Sequence, residues 1–193
     1  PLLEEAYPFL PKNVYQFIED YLTSNETILV LQGPPGTGKT RFIRAILASI
    51  TEKVGRNAEA MFTSDFNALE NDEIFIDFIT GSEDIFIVED SDHLLTSRGS
   101  GNRLIHKFLN VSDGLIQGQG RKIIFSTNLP NVNDIDDAIL RPGRCFDHIQ
   151  FRNLDRNETF KLCERLDISE HTSERLLNKK TFSVAEIYKL FNN

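Results

Sequence analysis

Cysteine is scarce in this chain, and no apolar run is long. Only Cys145 and Cys163 occur among its 193 residues. No CxxC or HxxxH spacing accompanies them, which excludes a zinc site of ordinary ligand spacing. The two thiols have the means to close one disulfide, but such a pair in an intracellular chain more commonly stays reduced. The longest apolar stretches, Ile28–Leu31 and Ile85–Val88, are strand-sized. None approaches the ~20 residues a helix needs to span a bilayer. Pro1-Leu2-Leu3-Glu4-Glu5 lacks a basic stretch followed by an apolar one, so no secretory signal is expected. A cytoplasmic or other reducing intracellular location is expected on these grounds.

Basic residues are also in deficit. Against 29 Asp and Glu stand 21 Lys and Arg, a formal net charge of −8. Sequence-independent nucleic-acid binding neutralises phosphates with Lys and Arg, so this balance disfavours it without excluding it. Internal repeats and low-complexity tracts are absent too. What is present is 40% hydrophobic and 26% charged, ordinary for a soluble globular protein. The length suffices for one sizeable core and a small satellite.

Strand and helix patterns alternate along the first three quarters of the chain. Helical spacing of apolar residues appears over 13–22, 40–50 and 68–79, and again from Leu104 to Val111, before Asp113-Gly114. Buried-strand patterns appear at Thr27–Leu31, Ile85–Val88 and Ile123–Ser126, with weaker ones at Met61–Thr63 and His148–Phe151. Such alternation implies a parallel sheet covered on both faces, an α/β fold. From about residue 153 the pattern turns helical and polar, with candidates near 156–166, 170–178 and 183–191, which reads as a small helical lid.

Between the first strand and the second helix lies Gly33-Pro34-Pro35-Gly36-Thr37-Gly38-Lys39-Thr40, which matches G-x4-G-K-[ST] in the required strand–helix context. Its glycines let successive backbone N–H groups turn inward around an anion without Cβ clashes. The following helix adds the positive end of its dipole. In such a loop Lys39 reaches the β- and γ-phosphates of ATP, and the Thr40 hydroxyl ligates Mg²⁺.

The strand Ile85–Val88 ends in Glu89-Asp90. Beside a phosphate loop, one carboxylate holds a metal-bound water and the next polarises the water that attacks the γ-phosphate. Asp before Glu is the usual order. Here it is reversed, so Glu89 takes the metal position and Asp90 the base position. The strand Ile123–Ser126 ends in Thr127-Asn128, where Asn128 can bond the γ-phosphate or the attacking water. Further on, Arg141 and Arg144 flank Pro142-Gly143, so two guanidiniums project from one turn. A planar, permanent cation suits the charge that develops on a transferring phosphoryl group.

In that order, GPPGTGKT, IFIVED, STN and DDAILRPGRCFD resemble the AAA branch of the AAA+ ATPases over roughly residues 10 to 191. The resemblance implies a three-layer αβα P-loop NTPase domain of RecA type over residues 1–152, with parallel sheet order 5-1-4-3-2, and a lid over 153–193. It also implies a homo-oligomeric ring, usually hexameric, in which Arg141 and Arg144 act on the neighbour's ATP. Phe182-Ser183-Val184-Ala185-Glu186-Ile187 resembles the family's lid segment FSGADI, which puts Ser183 and Ala185 near the adenine; Val184 stands in place of the glycine. Within the family, the Glu-Asp order, the short Thr40–Ile85 connection and Phe108–Gly114 are similar to the mitochondrial AAA translocase that delivers the Rieske iron–sulfur protein. Phe66 alone stands where unfoldase relatives carry an aromatic-glycine pore loop.

The leading expectation is an ATPase that remodels or translocates a protein substrate. Two other readings stay open here: a nucleic-acid-linked motor or loader, and an ATP-gated scaffold with little hydrolysis.

Overall fold

The computed structural model describes the chain except residues 66, 69, 70, 72, 90, 96–105, 107, 108, 111, 170–179 and 193, and the side chains of 93, 94 and 132. Among the described residues five strands form one sheet: β1 (Ile28–Gln32), β2 (Ala60–Thr63), β3 (Ile85–Val88), β4 (Lys122–Thr127) and β5 (Cys145–Gln150). Their order is β2-β3-β4-β1-β5, and every pairing is parallel. That is the expected 5-1-4-3-2 order read from the other edge. Parallel strands need both faces covered. Accordingly β1, β3 and β4 are buried along their whole length.

The period of two in a strand divides the core into two layers. Leu29, Leu31, Ile87 and Ile124 face one side, where α1 (Val14–Thr23) and α2 (Lys39–Val54) pack. Ile28, Val30, Phe86 and Phe125 face the other, against Phe75 and Phe78 of α3 (Glu73–Thr80) and Leu95 of the short helix α4 (Asp92–Leu95). The C-terminal helices α5 (Arg156–Arg165) and α6 (Val184–Phe191) deliver Leu162, Cys163, Val184 and Ile187 to the first layer, beside Tyr7 and Phe42. An antiparallel bridge joins Leu154 to Phe182. Both α5 and α6 start with capping boxes, Asp155 with Glu158 and Ser183 with Glu186.

Several boundaries differ from the sequence expectation. The helix expected from residue 68 is interrupted: Asn67 and Ala68 are helical, residue 71 is a bend, and α3 starts at Glu73, whose N–H donates to Asn71 Oδ1 at 3.1 Å. β5 starts at Cys145 rather than His148: Ile28 N–H bonds Arg144 O at 3.1 Å, with a register shift between Ile28 and Leu29 that admits the extra residues. Of the Leu104–Val111 helix, most lies outside the described residues, although Leu109 and Asn110 are helical. Asp113-Gly114 does not break the chain there but lies within a π-helical turn, Ser112–Ile116. The helix expected at 170–178 and the pore-loop residue Phe66 lie outside the described residues. Cys145 and Cys163 are buried free thiols, and burial pushes the Cys145 thiol up to about 12.

Candidate functional site

In an open parallel sheet, the crevice beyond the carboxyl ends of the strands at a switch in strand order is where ligands bind. Here that point lies between β1 and β4. The chain leaving β1 enters the phosphate loop, and the Gly33 N–H donates to Thr127 O at 3.1 Å, which holds the loop against the end of β4. A Cβ on Gly33 would lie 2.2 Å from Phe151 O, so only glycine fits. Gly36 and Gly38 have φ of +78° and +102°, the left-handed region that favours glycine. Thr37 closes the loop on itself, its hydroxyl donating to Pro34 O at 2.7 Å. Gly38 is the N-cap of α2. The first-turn N–H groups of α2 therefore have no intrahelical partners and open into the loop, a ready anion cradle.

The Lys39 ammonium sits inside this cradle. It donates to Gly33 O at 2.5 Å, to Pro34 O at 2.9 Å and to Asn128 Oδ1 at 3.1 Å. β1, through its loop, and β4, through its tip, thus place their two polar groups in contact. Lys39, Thr40, Glu89 and Asn128 all line one cleft of about 600 Å³, within the range of small-molecule sites. Pro35, Gly36 and Ala185 line it as well. Ser183 sits at the edge of the loop, where its hydroxyl oxygen accepts the Glu186 N–H at 3.2 Å and is taken up in capping α6. Ala185 reaches further: its N–H donates to Gly36 O at 3.0 Å.

Among the described residues, no group of three or more His, Cys, Asp or Glu side chains is arranged to hold a metal alone. The hydroxyl and carboxylate of Thr40 and Glu89 on the cleft wall suit a hard cation that keeps its waters and leans on phosphate oxygens. The site thus fits Mg²⁺ accompanied by a nucleotide. Asp90, the expected base, lies outside the described residues.

The tip of β4 is held by residues that local patterns did not single out. Asp92 Oδ1 accepts the Thr127 hydroxyl at 2.5 Å and the Asn128 N–H at 3.1 Å. Ser91 donates from its hydroxyl to Ser126 O at 2.9 Å. Gln32, the last residue of β1, donates to Leu129 O at 2.7 Å and meets His148 Nε2 at 2.6 Å. A polar residue closing an otherwise aliphatic strand is the one signal that marked Gln32.

The two arginines behave differently from each other. Arg141 is exposed at the turn, as expected. Arg144 does not project. Its Nε bonds both Asp113 oxygens, at 3.0 and 3.2 Å, and its Nη1 donates to Ala138 O at 2.8 Å. Its side chain is only 12% exposed. The adjoining guanidinium holds the Asp113 carboxyl below the usual carboxylate range. The expectation of two projecting guanidiniums is corrected to one exposed and, among the described residues, unpaired, and one clasped, because Ser112–Ile116 brings a carboxylate alongside the turn.

Comparison with known proteins agrees with this geometry. The chain is 31% identical over 143 residues to a 26S proteasome regulatory subunit 6B homolog of Aspergillus niger, covering 67% of this chain and 33% of that protein. It is 30% identical over 177 residues to the proteasome-activating nucleotidase of Methanococcus maripaludis, covering 86% and 41%. It is 29% identical over 161 residues to an AAA ATPase forming ring-shaped complexes from Corynebacterium kroppenstedtii, covering 70% and 27%. The chain therefore spans about a third of the length of these curated relatives. Residues 29–153, which run from β1 to just beyond β5, match the ATPase family associated with various cellular activities. The chain belongs to that family, the AAA ATPases.

Proposed function

We propose that this chain binds ATP with Mg²⁺ in the cleft between the phosphate loop and α6 and hydrolyses it as one subunit of a ring that remodels or translocates a protein. The observation that carries this reading is the convergence of Lys39, Glu89 and Asn128, from three different strand ends, on one cleft. Lys39 and the loop N–H groups bind and orient the phosphates, and Thr40 and Glu89 hold the metal. When bound, Mg²⁺ supplies charge neutralisation on the phosphate oxygens. Asp90 takes the proton of the attacking water, and Asn128, fixed by Asp92, positions that water. Arg141 and Arg144 serve the phosphate of the adjoining subunit, with Arg144 released from Asp113 as it does so. The C-terminal helices from about residue 153 act as a lid that reaches the loop through Ala185.

The similarity to a ring-forming AAA ATPase supports the oligomer, for which a hexamer is the expected form. The similarity to a proteasome regulatory subunit and a proteasome-activating nucleotidase supports a protein substrate over a nucleic acid. The net charge of −8 points the same way. The finer likeness to the Rieske-protein translocase rests on Glu89-Asp90 and the Phe108–Gly114 stretch and is offered as the subfamily. No described helix is long and apolar enough to cross a membrane. The test is ATP hydrolysis by the wild type and by Lys39→Ala. A rate lost in a folded Lys39→Ala protein is expected; an unchanged rate overturns the assignment.

A further inference from the structure

One wall of the cleft is made by α6, which contributes Val184, Ala185, Tyr188 and Lys189. Its first turn is anchored to the phosphate loop by the Ala185 N–H to Gly36 O bond. Tyr188 stands three positions after Ala185 and so shares its face of the helix. Among the described residues that line the cleft, Tyr188 is the only aromatic one. The face of its ring is covered by Arg41, whose guanidinium carbon lies 3.8 Å from the ring centroid. Arg41 directly follows Thr40 and lines the same cleft. Among the described residues no carboxylate pairs with Arg41; a π face holds it instead.

A nucleotide whose phosphates lie on the loop must send its base away from Lys39, Glu89 and Asn128, whose charges and amide suit phosphate, water and metal. The remaining wall is α6, and a flat planar group already rests on its aromatic ring. On the basis of the reading proposed above, in which this cleft holds ATP, we infer that Tyr188 is the stacking platform for the nucleotide base. Arg41 covers that face until the base takes its place. Stacking on an aromatic ring serves any base, since every base has a π face. The platform therefore adds affinity for ATP and GTP alike without choosing between them.

The chain contains no tryptophan, so Tyr188→Trp introduces a single fluorescent reporter at this face. Its emission is expected to change saturably with Mg²⁺-ATP and to stay constant with Mg²⁺-tripolyphosphate, which carries the phosphates without the base. In parallel, Tyr188→Ala is expected to weaken ATP binding about tenfold, the factor one stacked base supplies. Its affinity for tripolyphosphate should match the wild type. Tyr188→Phe, which keeps the ring, should bind both as the wild type does. Equal weakening of ATP and tripolyphosphate in Tyr188→Ala, or no weakening of either, overturns the platform. Wild type and Lys39→Ala separate the two readings. Loss of both ligands in Lys39→Ala upholds the ATP site whatever Tyr188 does, whereas a wild type that binds neither ligand sinks the ATP site itself.

Discussion

Asp113 grips the Arg144 guanidinium within one subunit, both carboxylate oxygens lying within 3.2 Å of Nε. The carboxyl pKa is depressed by this partner. Its contribution is accordingly present above the ordinary carboxylate value and lost only as pH falls through the lowered one. At neutral pH the clasp is fully formed.

Replacing Asp113 by Asn removes the charge and keeps the shape. Asp113 is 47% exposed, so the stability cost should be about 1 kcal/mol or less. If the clasp withholds Arg144 from a neighbouring phosphate, ATP hydrolysis per subunit should rise severalfold at high protein concentration. Thermal melting beside a steady-state assay reads both. A large drop in melting temperature with activity lost as in Arg144→Ala would identify the pair as a brace instead.

Asp92 holds Asn128 by its backbone and Thr127 by its hydroxyl. Asp92→Ala should lower kcat at least about tenfold, since misplacing a positioned group by a fraction of an ångström is costly in a catalytic step. The KM for ATP should change less than kcat, because Asp92 reaches the phosphate loop only through Thr127 and Asn128, while the loop N–H groups that cradle the phosphates stay in place. A matched rise in KM with kcat unchanged would assign Asp92 to binding rather than positioning.

Lys122 is buried at the base of β4, its ammonium donating to Ser24 O and Glu26 O, and burial lowers its pKa to about 8. In the unfolded chain a lysine keeps its proton to about pH 10.4. Between these values the unfolded state binds more protons at this site, so the contribution of Lys122 to stability rises with pH from about 8 upward. The slope cannot exceed about 1.4 kcal/mol per pH unit for one proton. Opposing it are Cys145 and Cys163, whose thiols burial also raises and which favour the unfolded chain from about pH 9, and from about pH 10 Tyr7, Tyr21 and Tyr188, likewise raised by burial. Between pH 7.5 and 9.5 the urea midpoint of the wild type should gain on that of Lys122→Met, a difference that cancels the opposing thiols common to both. Lys122→Met should itself cost about 1–3 kcal/mol for the two carbonyls left without a donor.

The phosphate loop and the strands around it were legible because their signals are local. Glycine spacing, aliphatic runs and a lysine beside a hydroxyl occupy a few consecutive positions, and the fold then has few ways to arrange alternating strands and helices. The partners of those groups were not legible. Asp113 and Arg144 are 31 positions apart, and they meet only because a π-helical turn delivers one to the other. Asp92 reads as the start of a helix until β4 is placed beside β3. Arg41 and Tyr188 lie at opposite ends of the chain and share a cleft only when α6 packs on the loop. The early start of β5 was hidden because Asp147 and His148 are polar and half-buried on an edge strand, which blurs the alternation.

The most direct measurement is ATP hydrolysis by a mixture of two inactive variants, Lys39→Ala and Arg141→Ala, combined as folded proteins and compared with each alone. Lys39→Ala keeps the arginine turn and Arg141→Ala keeps the phosphate loop. If active sites are shared between subunits, activity should reappear on mixing, where an intact loop meets an intact turn. A mixture as inactive as its components, from variants that assemble together, would mean that each chain completes its own site and that the ring mechanism is wrong.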